Sequence, residues 1–272
     1  MIIDFHSHVF PDKIAKSTID TLAKNSNGTP YTDGTVLGLI ESMKKSGVDL
    51  SITFPVLTKP TQFEKVTQFV VDINDRFSSS TPKILSFAGI HPDCDDIPSK
   101  MKFLKNLGIK GVKIHPDYQQ TNFNDDKYVK IIKCAKDNDL IVITHSGVDN
   151  GFLTEPVRCT PDMVLDVCKK VKHDKLVLAH YGAHKLWDET YDKLCSLDLY
   201  FDTAFTMHQI EEGIFKKILN KHGADKILFA SDSPWGDVKK DADKILSFNL
   251  SKEENDKIFY KNALKLLNME QK

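Results

Sequence analysis

Apolar residues along this chain follow two rhythms. Short runs rich in β-branched side chains recur at residues 2–5, 50–54, 84–90, 109–114, 140–144, 176–179, 199–201 and 227–230. Between them lie stretches with helical spacing: 35–46, 63–78, 99–107, 128–138, 161–171, 186–194, 209–222 and 241–248. In 128–138, for example, Val129, Ile132, Cys134 and Ala135 are separated by polar residues in the 3–4 rhythm of a half-buried helix. Near-continuous hydrophobic strands alternating with helices imply a parallel sheet covered on its outside. At this length the pattern predicts an α/β protein, one (β/α)8 TIM barrel spanning residues 1–272 with a C-terminal helix. An open doubly wound sheet competes, but a glycine-rich phosphate turn after the first strand is missing. Ser251 and Glu254 form a capping box for the final helix, and Pro161 suits a helix first turn. The longest excursions, residues 10–34 and 144–160, are expected over the mouth of the barrel, where they shape substrate choice.

Composition narrows the function classes. The 37 basic and 38 acidic side chains give a formal net charge of −1, which argues against a nucleic-acid-binding surface. Arg76 and Arg158 are the only arginines, so bidentate phosphate recognition is poorly provided for. No apolar run reaches the length of a membrane span, and the N-terminus lacks a basic region followed by an apolar stretch. Five scattered cysteines without a Cys-x-x-Cys pair read as idle thiols of a cytoplasmic protein. The expected partner is a small-molecule substrate, with no nucleic acid and no membrane, and a homodimer is admitted.

The chemistry gathers at the C-terminal ends of the predicted strands. His6 and His8 end the first, His91 the third, Lys113 and His115 the fourth, His145 the fifth, His180 the sixth and Asp232 the eighth. His6 and His8 are two apart and so leave a strand on one face. Imidazoles and a carboxylate suit a divalent metal with room left for water and substrate. Such an ion lowers the pKa of bound water from about 15.7 towards 7. Asp4 or Ser7 is expected to fix the ring tautomers. His173, His208 and His222 fall in helical or loop contexts and read as ordinary surface residues. Singly, each strand-end residue has a bland reading: Asp232 as a helix N-cap, Lys113 as an ion-paired lysine.

As an ordered set, these motifs resemble the amidohydrolase superfamily of metal-dependent (β/α)8 barrels. The likeness runs from Ile2-Ile3-Asp4-Phe5-His6-Ser7-His8, through Gly111-Val112-Lys113-Ile114-His115-Pro116 and Leu178-Ala179-His180-Tyr181-Gly182, to Ala230-Ser231-Asp232-Ser233-Pro234. It is greatest for the amidohydrolase 2 branch that contains aminocarboxymuconate-semialdehyde decarboxylase. The resemblance implies His6, His8, His145 and Asp232 as metal ligands, with Asp232 also the proton acceptor. His180 would polarise the scissile group or bind a second ion, while Lys113, His115 and His91 would be substrate-side residues. Zn2+ is the first expectation for the ion, and one ion rather than two. Lys113 stands where some members carry a carbamylated bridging lysine. Ala183 replaces the glutamate of deaminase-like members, and Lys113 and His115 replace the strand-four glutamate of TatD-like nucleases. The chain also lacks the residues for a leading β-sandwich. Hydrolysis of a lactone, cyclic amide or ester is the first expectation, and non-oxidative decarboxylation of an unsaturated or aromatic acid the second. A TatD-like phosphodiesterase and a catalytically silent metal-binding barrel stand behind these.

Overall fold

In the computed structural model, which describes residues 1–270, the alternating apolar runs form strands β1 (Ile3–Ser7), β2 (Leu50–Thr53), β3 (Lys83–Ser86), β4 (Ala88–Gly89), β5 (Gly111–Ile114), β6 (Ile141–Thr144), β7 (Leu176–Leu178), β8 (Tyr200–Asp202) and β9 (Ile227–Leu228). All neighbouring pairs are parallel. The run predicted at 84–90 is one barrel strand in two pieces: β3 pairs with β2, and β4 with β5. Across the break the Phe87 N–H donates to the Thr53 carbonyl at 2.8 Å, and the Ile90 N–H to the Lys113 carbonyl at 3.2 Å. The circle closes between β1 and the segment that continues β9. There the Phe5 N–H donates to the Phe229 carbonyl at 2.9 Å, the Asp232 N–H to His6 at 2.8 Å and the His8 N–H to Ser233 at 2.6 Å. Eight strand positions around one closed wall are the TIM barrel read from the sequence.

Alternation along each strand sorts side chains into two apolar layers. Val112, Ile114, Val142, Leu178, Phe201 and Ile227 face the helices, whereas Ile141, Ile143, Val177, Tyr200 and Leu228 fill the barrel interior. The outer layer is covered by α2 (Val36–Ser46), α3 (Phe63–Phe77), α4 (Ile97–Asn106), α5 (Asp126–Asp137), α6 (Pro161–Lys170), α7 (Trp187–Lys193), α8 (Glu212–His222) and α9 (Val238–Ser247). Side-chain caps start several of them: Thr35 accepts from the Gly38 N–H, Thr160 from Met163 and Asp237 from Lys240. The C-terminal helix consists of α10 (Lys252–Asp256), a π-turn at Lys257–Lys261 and α11 (Asn262–Leu266). Its Ala263, Leu264, Leu266 and Leu267 join the interior cluster and cover the end of the barrel opposite the strand C-termini. Residues 10–34, expected as an excursion, contain one more helix, α1 (Asp12–Ser26). Among the described residues no helix is long and apolar enough to cross a membrane.

A β-bulge in β1 decides which way the first histidines point. Ile3 and Asp4 stand opposite Leu50 and Ser51, but Ser7 stands opposite Thr53, so Phe5 and His6 together oppose Ile52. The extra residue shifts the side-chain phase by one. Ile3 and Phe5 therefore pack into the interior, and His6 and His8 also face the cavity above it.

Candidate metal centre and active site

Two imidazoles and one carboxylate converge at the seam where the barrel closes. His6 Nε2 and His8 Nε2 are 3.3 Å apart, and each lies 3.2 Å from Asp232 Oδ1. Backbone and carboxylate acceptors fix the tautomers. His6 Nδ1 donates to Asp202 Oδ2 at 2.8 Å, and His8 Nδ1 to the Phe54 carbonyl at 2.9 Å. Both Nε2 lone pairs are thereby left facing Asp232. Around an ion with ligands at about 2.0–2.1 Å, a tetrahedron has edges of about 3.3 Å. The three donors already stand at that spacing, so the residues present fit a divalent metal with a coordination position open for substrate. Neither Asp4 nor Ser7 touches an imidazole nitrogen, contrary to expectation. Asp4 accepts from the Ser231 N–H and hydroxyl and from the His6 backbone N–H, and the Ser7 hydroxyl donates to the Ile52 carbonyl.

Charge and burial set the protonation states here. Burial would raise the pKa of Asp232, but the charges and hydrogen bonds of His6 and His8 outweigh it and hold the carboxyl well below its usual range. For His6, burial and Lys113 oppose protonation, yet Asp202 and Asp232 prevail and raise its pKa. Burial lowers His8 and takes His180 down to about 3. Lys113 is fully buried, with Nζ 3.5 Å from His6 Nε2 and 4.7 Å from the Phe54 ring centre. Burial depresses it to about 8 against the pull of Asp202, Asp232 and Asp149, which leaves an ammonium at neutral pH.

The other expected site residues divide between this group and a neighbouring one. His180 Nδ1 donates to the Ala204 carbonyl at 2.9 Å, so its Nε2 is a lone pair, and His145 Nδ1 donates to it at 2.9 Å. His145 Nε2 lies within reach of His115 and Asp149, which form a second cluster beside the first. The His115 and His145 rings stack at 4.3 Å, and His115 Nε2 lies 3.3 Å from Asp149 Oδ2. His91 is not among the residues lining the cavity; its Nδ1 accepts the Asp93 N–H at 3.1 Å in the turn after β4. His173 and His222 are not surface residues as expected. His173 is buried with Nε2 donating to the Leu140 carbonyl, and His222 stacks on Phe201 at 3.9 Å. Only His208 of these three is exposed.

A cavity of about 610 Å3 opens above both groups. Lys113, His115 and Tyr118 line it near the strand ends, and Phe10, Ile14 and Leu22 from the α1 excursion, with Val66, Phe69, Phe205 and Trp235, give apolar walls. Val148, Asp149 and Asn150 bring the second excursion to the mouth as expected. Gly147 permits that approach: its φ is +87°, and a Cβ there would stand 2.1 Å from the His184 backbone nitrogen. Asp202, Asp149 and Asp117 are polar site neighbours that strand-end reasoning passed over. Asp202 did carry a signal, since it directly follows the seventh apolar run.

A TIM barrel with a candidate metal-ligand group at its C-terminal mouth is an architecture that the amidohydrolase superfamily shares. The family model described as amidohydrolase matches residues 3–269, and the chain belongs to that family. No curated protein sequence matches it. Among solved structures, a TIM-barrel protein from Bordetella bronchiseptica is 15% identical with a TM-score of 0.74, covering 98% of each chain. The 2,6-dihydroxybenzoate decarboxylase from Rhizobium is 14% identical with a TM-score of 0.69 over 98% of each chain. A dihydroxybenzoic acid decarboxylase from a Polaromonas species, with bound manganese, is 13% identical with a TM-score of 0.67 over 98% of this chain and 96% of that one. At such identities the likeness shows a shared fold.

Proposed function

We propose that this chain is a metal-dependent decarboxylase of a small aromatic or unsaturated carboxylic acid. The observation that carries the reading is the buried Lys113 ammonium beside His6, near the floor of a cavity whose walls are largely hydrocarbon. A planar anion fits that contrast, with its ring against Phe10, Phe69, Phe205 and Trp235 and its oxygens against Lys113. The named decarboxylases of the same fold, one holding manganese, support the choice of reaction. His6, His8 and Asp232 would hold the divalent ion, for which Zn2+ and Mn2+ are both chemically suited. When bound, the ion polarises substrate oxygens and stabilises negative charge that develops on them.

The chain's own groups account for the remainder. The apolar walls strip water from the carboxylate, whose concentrated charge loses more by this than a delocalised anion does. Lys113 holds the substrate oxygen conjugated with the carbon that bears the carboxyl group. A proton from water, relayed by Asp232 at the centre of the cluster, is added to that carbon. The bond to the carboxyl carbon then breaks, its electron pair returns to the ring or vinyl π system, and carbon dioxide leaves with hydrogen in its place. Burial beneath the α1 excursion keeps the step from bulk water.

Hydrolysis of a lactone or cyclic amide is the second reading, favoured by one observation: Asp232 is held as an anion, the form that accepts a proton from water. Offering the metal-replete protein hydroxybenzoates and unsaturated acids in one series, and lactones and cyclic amides in another, separates them. Carbon dioxide release without ring opening is the expected result. Ring opening without carbon dioxide would overturn decarboxylation and establish the hydrolase.

A further inference from the structure

On the reading of the cavity floor as the seat of a carboxylic acid, we infer that the substrate also carries an extended hydrocarbon substituent, held in a slot between α1 and α3. The cavity, at about 610 Å3, is larger than a single-ring acid needs. An apolar cavity of roughly 150 Å3 already holds benzene. The additional space extends past the end of β2. Pro55 and Val56 line the cavity there, directly after Phe54, whose ring centre is 4.6 Å from that of His6. Beyond them Val66 of α3 lines it as well. Because α3 lies outside the barrel wall, the cavity runs outwards from the metal-ligand group across the end of β2.

The facing wall is a stripe of α1. Ile14, Thr18 and Leu22 all line the cavity, and their spacing of four puts them on one side of the helix, over about 12 Å from first to last. Among the described residues this stripe is left unpacked: α1 buries only Ala15 and Ile19, and Ile14 is 49% exposed. Ile19 anchors the helix from its other side, against the loop at Gly34, where a Cβ would stand 2.7 Å from Ile19 Cγ1. The facing helix is built alike. Phe63, Thr67, Val70 and Ile73 of α3 are buried, whereas Val66 is half-buried and borders the cavity. Two amphipathic helices thus turn apolar side chains to a common space. Thr61 and Lys65, both exposed, mark its solvent end. The slot is continuous with the seat of the acid, so its occupant is part of the same molecule. A hydrocarbon chain fits, because it gains by leaving water and needs no hydrogen bond in return.

Alkylbenzenesulfonates test the slot without any reaction, since they offer an anion and a tail but no carboxyl group to lose and no ester or amide to open. Calorimetric titration of the full-length, metal-replete protein with members from methyl to hexyl is expected to give one site per chain. Its Kd should fall about threefold with each added methylene. Ile14→Asp and Leu22→Asp should each flatten that dependence. Thr18→Trp, which fills the slot, should weaken the hexyl compound at least ~10-fold more than the methyl one. Circular dichroism shows whether each variant is folded, and the wild-type series decides the matter even if one is not. A Kd indifferent to tail length overturns the proposal, as does a dependence that all the folded variants keep, which is the mark of detergent-like adsorption. Carbon dioxide release tests the decarboxylase reading separately. A flat series beside carbon dioxide release overturns the tail alone; a steep series without it overturns the reaction alone.

Discussion

Asp202 organises more of the centre than its position outside the ligand group suggests. One oxygen accepts from His6 Nδ1; the other accepts the backbone N–H groups of His180 at 2.9 Å and Ala204 at 3.1 Å. A single buried carboxylate thus orients a ligand ring and the turn that carries His180. Asp202→Asn keeps the shape but can present its amide N–H to His6, favouring the wrong tautomer. Metal affinity should fall about 10–100-fold, measured by competition with a chelator. Asp232→Asn removes the carboxylate charge that the proposed ligand and proton relay both need. Turnover should fall at least ~100-fold with the circular dichroism spectrum unchanged, and wild-type rates would refute its role. His6, His8, Lys113 and Asp232 were legible because a barrel sends strand-end side chains to one place. Asp149 and Asp117 were not, because they lie on loops whose return path no hydrophobic period encodes. His145 shows a finer limit. Its strand position was legible, but which nitrogen faces which group depends on the Ala204 carbonyl, which lies far along the chain beyond β8.

At the scale of elements, apolar periodicity located the strands and the covering helices, with ends displaced by a few residues. It could not locate the bulge in β1 or the break at Phe87, since both are matters of register with a neighbouring strand. Nor did it separate α1 from an irregular excursion: that helix has a mixed surface, with only Ala15 and Ile19 buried, because much of its apolar face looks into the cavity. Local capping chemistry was the most transferable signal. Ser251 Oγ accepts the Glu254 N–H at 3.2 Å, while the Ser251 N–H donates to Glu254 Oε2 at 2.9 Å. Ser251→Ala should lower stability by about 1 kcal/mol in urea denaturation, with no change in metal affinity.

For the whole molecule, the interior histidines make stability sensitive to acid. Burial lowers His222 to about 4 from an ordinary value of 6.5, and its Nε2 donates to the Leu199 carbonyl at 3.0 Å. Between those two values the unfolded chain binds the proton and the folded one does not. The neutral-form stability is therefore complete above pH 6.5 and is lost as pH falls towards 4. Replacing His222 by Gln in the metal-free protein should shrink the stability difference between pH 7 and pH 4.5 by on the order of 2 kcal/mol. An unchanged difference would show that His222 protonates freely in the folded state.

The bonds that close the barrel have a consequence for how the chain becomes an enzyme. His6 and His8 precede Asp232 in the chain by more than 200 residues, and the three meet only where β1 docks beside the segment after β9. An ion gripped by them is a clasp across the join, one that a nascent or C-terminally truncated chain has no means to fasten. Ligand binding and completion of the wall are then a single event. Metal should raise the unfolding temperature of the intact protein in proportion to the logarithm of its concentration above Kd, and a version cut before Asp232 should show no such rise.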